Sequence, residues 1–231
     1  MIGATSSEVS IRVAIIDSGV HAEHPHVGGV AGGIAIDQDG ELHDDYVDRL
    51  GHGTAVTAAI KEKAPDAELY AVKVFDRTLS TRITSLVRAI DWAADAGMHL
   101  ANLSLGTSRP EHEDVLRAAI ERAAACGLFI VAARDDGGVR WLPGSLPGVI
   151  PVQLDWTCPR DMHRVLEVDG STVFRASGFA RPIDGVPPER NLNGISFAVA
   201  TMTGAIARSL HGKPRASLVA IVDALVRAHH L

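Results

Sequence analysis

Three residues far apart in the chain, Asp17, His52 and Ser196, have the side-chain types of an orienting carboxylate, a general base and a nucleophile. A serine hydroxyl needs a base to take its proton, and a histidine is close to neutral at physiological pH. The imidazole in turn needs an anion on its other nitrogen, to hold the tautomer and to stabilise the charged ring. Each residue also has a plainer reading. Asp17 suits a turn at a strand end, His52 a polar helix start, and Ser196 a helix N-cap that satisfies one backbone donor. Ser196 carries the most information. It follows Asn193-Gly194-Ile195 and opens an apolar run to Leu210, so a loop feeds a helix there. Free backbone N–H groups and the dipole at a helix N-terminus favour negative charge. That is a useful place for a nucleophile whose product is an oxyanion.

The elements that must position these residues alternate between strand and helix signals. Ile11 to Ile16 is a β-branched run, read as a buried parallel strand that ends at the turn Asp17-Ser18-Gly19. Residues 21 to 50 are glycine-rich and acidic, and read as loop. A helix is predicted from His52 to about Glu62, and strands over Glu68 to Val74, Met98 to Leu103, Leu128 to Ala133 and Val149 to Leu154. Helices are predicted over Thr81 to Ala96 and Glu111 to Cys126, each closed by a glycine. Residues 161 to 175 read as a hairpin around Asp169-Gly170. Helices from Ser196 to about Leu210 and from about residue 214 to His229 finish the chain. This alternation implies an α/β fold, a mostly parallel sheet with helices on both faces. In such a sheet active groups gather at the carboxyl ends of the strands, where Asp17 lies.

Composition narrows the function classes. The 231 residues are 46% hydrophobic with 4% aromatics, so Val, Ile, Leu and Ala must build the core. No composition shift or linker divides them, and one domain over 1–231 is expected, with its core at about 11–210. A net charge of −6 argues against a nucleic-acid surface. No apolar run reaches membrane-spanning length, so no membrane partner is expected. Two cysteines, Cys126 and Cys158, make no disulfide framework, and a reducing compartment is the simpler expectation. Met1 to Ser10 lacks the features of a signal peptide. A cytoplasmic location is therefore expected. The acidic residues Asp37 to Asp48 and the histidines 21, 24, 26 and 43 lack the spacing of a metal site. No metal or other cofactor is predicted.

The sequence resembles the subtilisin-like serine peptidases. Val13-Ala14-Ile15-Ile16-Asp17-Ser18-Gly19-Val20, Gly51-His52-Gly53-Thr54 and Asn193-Gly194-Ile195-Ser196 match the family's segments around its aspartate, histidine and serine, in the family's chain order. The resemblance runs from about Ile11 to Leu210 and implies the three-layer subtilisin-like fold. It implies a serine endopeptidase with Asp17, His52 and Ser196 as triad, acting on a peptide or protein bound as an extended strand. Ser104, Leu105 and Gly106 resemble the segment that pairs with that strand. Ala132, Ala133 and Arg134 fall where the specificity pocket is walled, and Arg134 would either favour an acidic residue or pair with Asp135 or Asp136.

The departures from the family are specific. The family's oxyanion donor is an asparagine, and ungapped alignment puts Asp136 in its place, or Asp135 with a one-residue gap. An ionised carboxylate cannot donate a hydrogen bond. The oxyanion region would then be Asp136, Asn193 and the backbone N–H of Ser196. Losing one donor costs on the order of 10²–10³ in turnover. A slow enzyme, or one favoured at mildly acidic pH where Asp136 is protonated, is expected. Residues 60 to 66 leave no room for the family's calcium-binding loop, and no pro-region precedes residue 11. A dedicated intracellular processing peptidase is one expectation. A catalytically impaired peptide-binding protein of the same fold is the other, and an esterase using the same three residues is a third.

Overall fold

In the computed structural model, which describes residues 10–213 and 216–229, the first apolar run becomes strand β1 (Arg12–Asp17) at the middle of the sheet. The chain continues through β2 (Gly32–Ile36), β3 (Leu42–His43), α1 (His52–Lys63), β4 (Glu68–Lys73) and α2 (Ile83–Asp95). Next come β5 (Leu100–Leu103), α3 (Glu113–Ala125), β6 (Phe129–Asp136), β7 (Val139–Arg140) and β8 (Val149–Leu154). The hairpin β9 (His163–Val168) and β10 (Ser171–Ala176), then α4 (Ile195–Ser209) and α5 (Leu218–His229), complete it.

The strand order is β3-β2-β4-β1-β5-β6-β8-β10-β9, with β7 attached to β6. All pairings from β2 to β10 are parallel, and β3, β7 and β9 add antiparallel neighbours. After β1 the chain adds β4 on one side and later β5 on the other. The carboxyl end of β1 is therefore a point where the winding direction switches, which is where such sheets open a crevice.

Successive residues of β1 serve opposite faces, as the period of two requires. Val13 and Ile15 pack with Val56 and Ile60 of α1, Phe197, Met202 and Ile206 of α4, and Ile221 and Leu225 of α5. Ala14 and Ile16 pack with Leu86 and Ile90 of α2 and with Leu116 and Ile120 of α3. Each such buried aliphatic side chain contributes about 1.5–3 kcal/mol. The result is the expected three-layer α/β fold. None of the helices among the described residues is long and apolar enough to cross a membrane.

Three readings need correction. Residues 21 to 50 are not all loop, because they hold β2 and β3. The glycines that read as loop are there for contact: a Cβ on Gly33 would lie 2.7 Å from the Ala71 carbonyl and 2.8 Å from the Tyr46 ring. The strand expected to stop at Ala133 runs to Asp136 and returns as β7. The last helix begins at Leu218 rather than near residue 214, and residues 214 and 215 lie outside the described residues. The hairpin around Asp169-Gly170 forms as predicted, with both turn residues at positive φ.

Phe174 is fully buried where β10 meets the helices of one face. Phe174→Ala should lower the unfolding free energy in a urea titration by about 3–5 kcal/mol, and a loss well under that range would contradict its place in the core.

Candidate active site

Asp17 ends β1 fully buried. Its Oδ1 accepts the Ser18 N–H at 2.7 Å and bonds His52 Nδ1 at 2.8 Å, while Oδ2 is buried with no hydrogen-bond partner. An ionised carboxylate only accepts, so Nδ1 carries the ring proton and Nε2 keeps its lone pair. Burial pushes the imidazole toward its neutral form. The hydrogen bond and charge of Asp17, and then the charge of Asp48, outweigh burial and raise the His52 pKa above its ordinary value of 6.5.

His52 opens α1, and that helix is pinned against the end of β1. The Gly53 N–H donates to Ser18 Oγ at 2.9 Å, and a Cβ on residue 53 would lie 2.2 Å from the Gly19 carbonyl oxygen. Only glycine fits so close an approach. Asp48 holds the entry to the helix. Its Oδ1 accepts from Ser18 Oγ and from the N–H groups of Leu50 and Gly51, each at 2.9 Å. Its Oδ2 accepts the Thr54 N–H at 2.9 Å and the Thr54 hydroxyl at 2.6 Å. Burial pushes the Asp48 carboxyl up, but the Thr54, Leu50 and Gly51 bonds more than reverse this and hold it below the usual range. The carboxylate satisfies donors that the first turn of a helix leaves open. Sequence reasoning left Asp48 in a solvated acidic stretch. The signal that could have found it is an aspartate four residues before a helix-opening histidine.

Ser196 is the second residue of α4, where a backbone N–H has no acceptor within the helix. Its hydroxyl donates to the Ser104 carbonyl at 3.4 Å, and the Ser104 hydroxyl donates to the Ser196 carbonyl at 3.4 Å. Buried Asn102, in β5, fixes this pair. Its amide donates to Ser104 Oγ at 2.8 Å and its carbonyl oxygen accepts from Thr203 Oγ1 of α4 at 2.9 Å. Among the described residues no hydrogen bond joins Ser196 to His52, but both line one cleft of about 460 Å³. Attack therefore requires the hydroxyl to leave Ser104 and turn to Nε2.

The residues expected around this cleft divide into two groups. Ser104, Leu105, Gly106 and Ala133 line it, facing Leu79 to Ile83 across the opening. Ala132 does not, because it is buried in the core against α2 and α3. Arg134 does not either: its guanidinium reaches Asp169 at 2.9 Å and Asp135 at 3.6 Å. Asp135 accepts two bonds from the Gln153 amide, at 3.0 and 2.9 Å. Asp136 is exposed at the tip of the β6–β7 hairpin, outside the cleft lining, and the Asn193 amide donates to the Asn191 carbonyl. The cause is the turn Gly137-Gly138, both at positive φ, which makes a tight hairpin where the alignment supposed a loop. Among the described residues, neither Asp135 nor Asp136 lines the cleft that holds Ser196. Trp141, Arg109 and His112 line the cleft instead, and sequence reasoning missed all three.

Comparison with known proteins bears on the family and the fold. The sequence profile of the subtilase family matches residues 9–153, a segment that includes Asp17 and His52. A thermostable alkaline protease of Halalkalibacterium halodurans is 34% identical over 152 residues, which are 61% of this chain and 40% of the relative. Subtilisin Savinase of Lederbergia lenta is 34% identical over 142 residues, 59% of this chain and 51% of the relative. The chain spans about half, or less, of the length of the curated relatives it matches. The crystal structure of a cold adapted subtilisin-like serine proteinase superposes with a TM-score of 0.72 at 20% identity, over 94% of this chain and 81% of that one.

Two outcomes follow for labelling of Ser196 by a fluorophosphonate. Protonated His52 cannot accept the serine proton, so the labelling rate should rise with pH through a midpoint above 6.5. Asp17→Asn should move that midpoint down, and a midpoint below 6.5 in the native protein would contradict the raised imidazole. Asp136→Asn should leave the rate essentially unchanged, whereas a gain on the order of 10² would put that side chain at the oxyanion after all.

Proposed function

This chain belongs to the subtilase family, and on that premise we propose that it is a serine endopeptidase acting through Asp17, His52 and Ser196. The observation that carries the reading is the 2.8 Å Asp17–His52 pair on one cleft with a serine at a helix N-terminus. His52 Nε2 takes the Ser196 proton as the hydroxyl attacks a peptide carbonyl. Asp17, with one oxygen buried and unpartnered, stabilises the imidazolium that forms. His52 then protonates the leaving amine, and water releases the acyl group.

The substrate lies extended along Ser104 to Gly106. These residues follow β5 and, among the described residues, have no strand partner of their own, so their backbone groups, apart from the Ser104 carbonyl that holds the Ser196 hydroxyl, are open to an added strand. The developing oxyanion meets the Ser196 N–H and the dipole of α4. With no side-chain amide lining the cleft among the described residues, turnover is slow relative to a two-donor site, by on the order of 10²–10³. Both cysteines are free, Cys126 exposed and Cys158 buried, which supports an intracellular role in processing a narrow set of peptides. A second reading, peptide binding without cleavage, is favoured by the Ser196 hydroxyl resting on Ser104 rather than on His52.

Fluorophosphonate labelling and cleavage of a fluorogenic peptide library separate the two readings. The native protein should label and cleave, and Ser196→Ala should do neither. Peptide binding by a native protein that never labels would establish the second reading. Casein should be digested slowly and at few sites, and rapid general digestion would rule out the narrow role.

A further inference from the structure

The cleft beside Ser196 has a one-sided charge. Its ionisable lining residues are His52, Arg82, Arg109 and His112, with no carboxylate among them, although the chain as a whole carries a net charge of −6. Arg82 is already engaged, by Asp39 at 3.0 Å and by the Gln38 carbonyl at 3.2 Å. Arg134 is held by Asp169 and Asp135 outside the cleft. Arg109 differs from both, since among the described residues its guanidinium has no ion pair. The carboxylates nearest in sequence leave it free. Glu111 does not line the cleft, and Glu113 is taken by Arg117 at 2.6 Å and Arg140 at 3.2 Å.

The backbone holds Arg109 in place. Thr107 is bridged to Leu142 by two bonds, at 2.9 and 2.8 Å, and the Arg109 N–H donates to Thr107 Oγ1 at 3.2 Å. Pro110 keeps the residue before it extended, at φ −82 and ψ 113, and starts the short turn that ends at His112. Arg109 therefore stands three residues past Gly106, just beyond the segment open to an added strand. A side chain of that strand can reach it, since an extended chain rises about 3.3 Å per residue and alternates its side chains. A guanidinium offers a fork of donors that matches a carboxylate and cannot be neutralised by losing a proton.

Resting on the peptidase reading above, we infer that Arg109, with His112 beside it, selects peptides that carry an acidic side chain a few residues before the cleaved bond. The test uses fluorogenic peptides that differ only by Glu or Gln, with the pair moved through the second to fifth residues before the cut. At one position the native protein should prefer Glu by about tenfold in kcat/KM, the scale of one charge-assisted hydrogen bond. The preference should fall to about unity in Arg109→Gln and turn toward Lys in Arg109→Glu, by the same charge pairing. Equal cleavage of Glu and Gln peptides at every position would overturn the inference, as would a preference that survives both substitutions. If the native protein cleaves no peptide, the peptidase reading fails separately. Fluorescence anisotropy with Ser196→Ala then decides: tighter binding of the Glu peptide, lost in the double variant with Arg109→Gln, supports the selectivity, and equal or absent binding overturns it.

Discussion

A buried carboxylate at the middle of the sheet is the constraint from which the active-site arrangement follows. Asp17 sits at the end of a strand flanked by two others, fully shielded from water, and an unpaired charge there would be very costly. Among the described residues, the Ser18 N–H and the His52 ring supply the only hydrogen bonds it receives. The ring must therefore stay in contact, which requires a helix that begins within reach of the end of β1. Ser18, Gly53, Asp48 and Thr54 form a hydrogen-bonded collar that fixes that beginning. The same contacts that make the charge tolerable also raise the basicity of the imidazole. Stability and chemistry rest on one set of bonds here.

The second half of the site is tied down separately. Asn102 joins β5 to α4 through Ser104 and Thr203, so the proposed nucleophile and the proposed peptide-binding segment are held to each other. The two halves meet only at the cleft. Asp17 and His52 are locked to each other, whereas the Ser196 hydroxyl still rests on a carbonyl of its own half. On the proposed reading, a peptide laid along Ser104 to Gly106 would compete for the neighbourhood of that carbonyl, and its arrival would give the hydroxyl a reason to turn.

Most of the fold was legible in the sequence because buried parallel strands and amphipathic helices have distinct periods. The β1 run and the hairpin at Asp169-Gly170 formed where they were read. The segments missed were those where glycine had two meanings. Gly33 read as loop but makes room for Ala71 and Tyr46 in a strand. Asp136-Gly137-Gly138 was read through a family alignment, although its own turn chemistry announces a hairpin. That choice placed Asp136 at the oxyanion and Arg134 in a pocket wall. The cleft residues Arg109 and His112 had no local signature, because the cleft is built from segments distant in sequence, whereas the Asp48 contacts to Leu50, Gly51 and Thr54 are local and their spacing before the helix-opening histidine went unread.

The collar also sets where this protein tolerates change. Upstream of Asp48, the β2–β3 turn and β3 lie largely at the surface, whereas β2 is half-buried, the Tyr46 carbonyl accepts the Val20 N–H at 2.9 Å, and Lys73 anchors the Val47 carbonyl at 3.0 Å just before the critical residue. Natural variation or loop grafting at residues 38–43 can alter length and charge without touching the proton relay. From Asp48 to Thr54 the spacing is rigid, since one carboxylate addresses donors at four separate positions. An insertion of a single residue there would leave the imidazole on a helix out of register with its anion. The boundary between an exchangeable rim and a fixed hinge therefore falls before Tyr46.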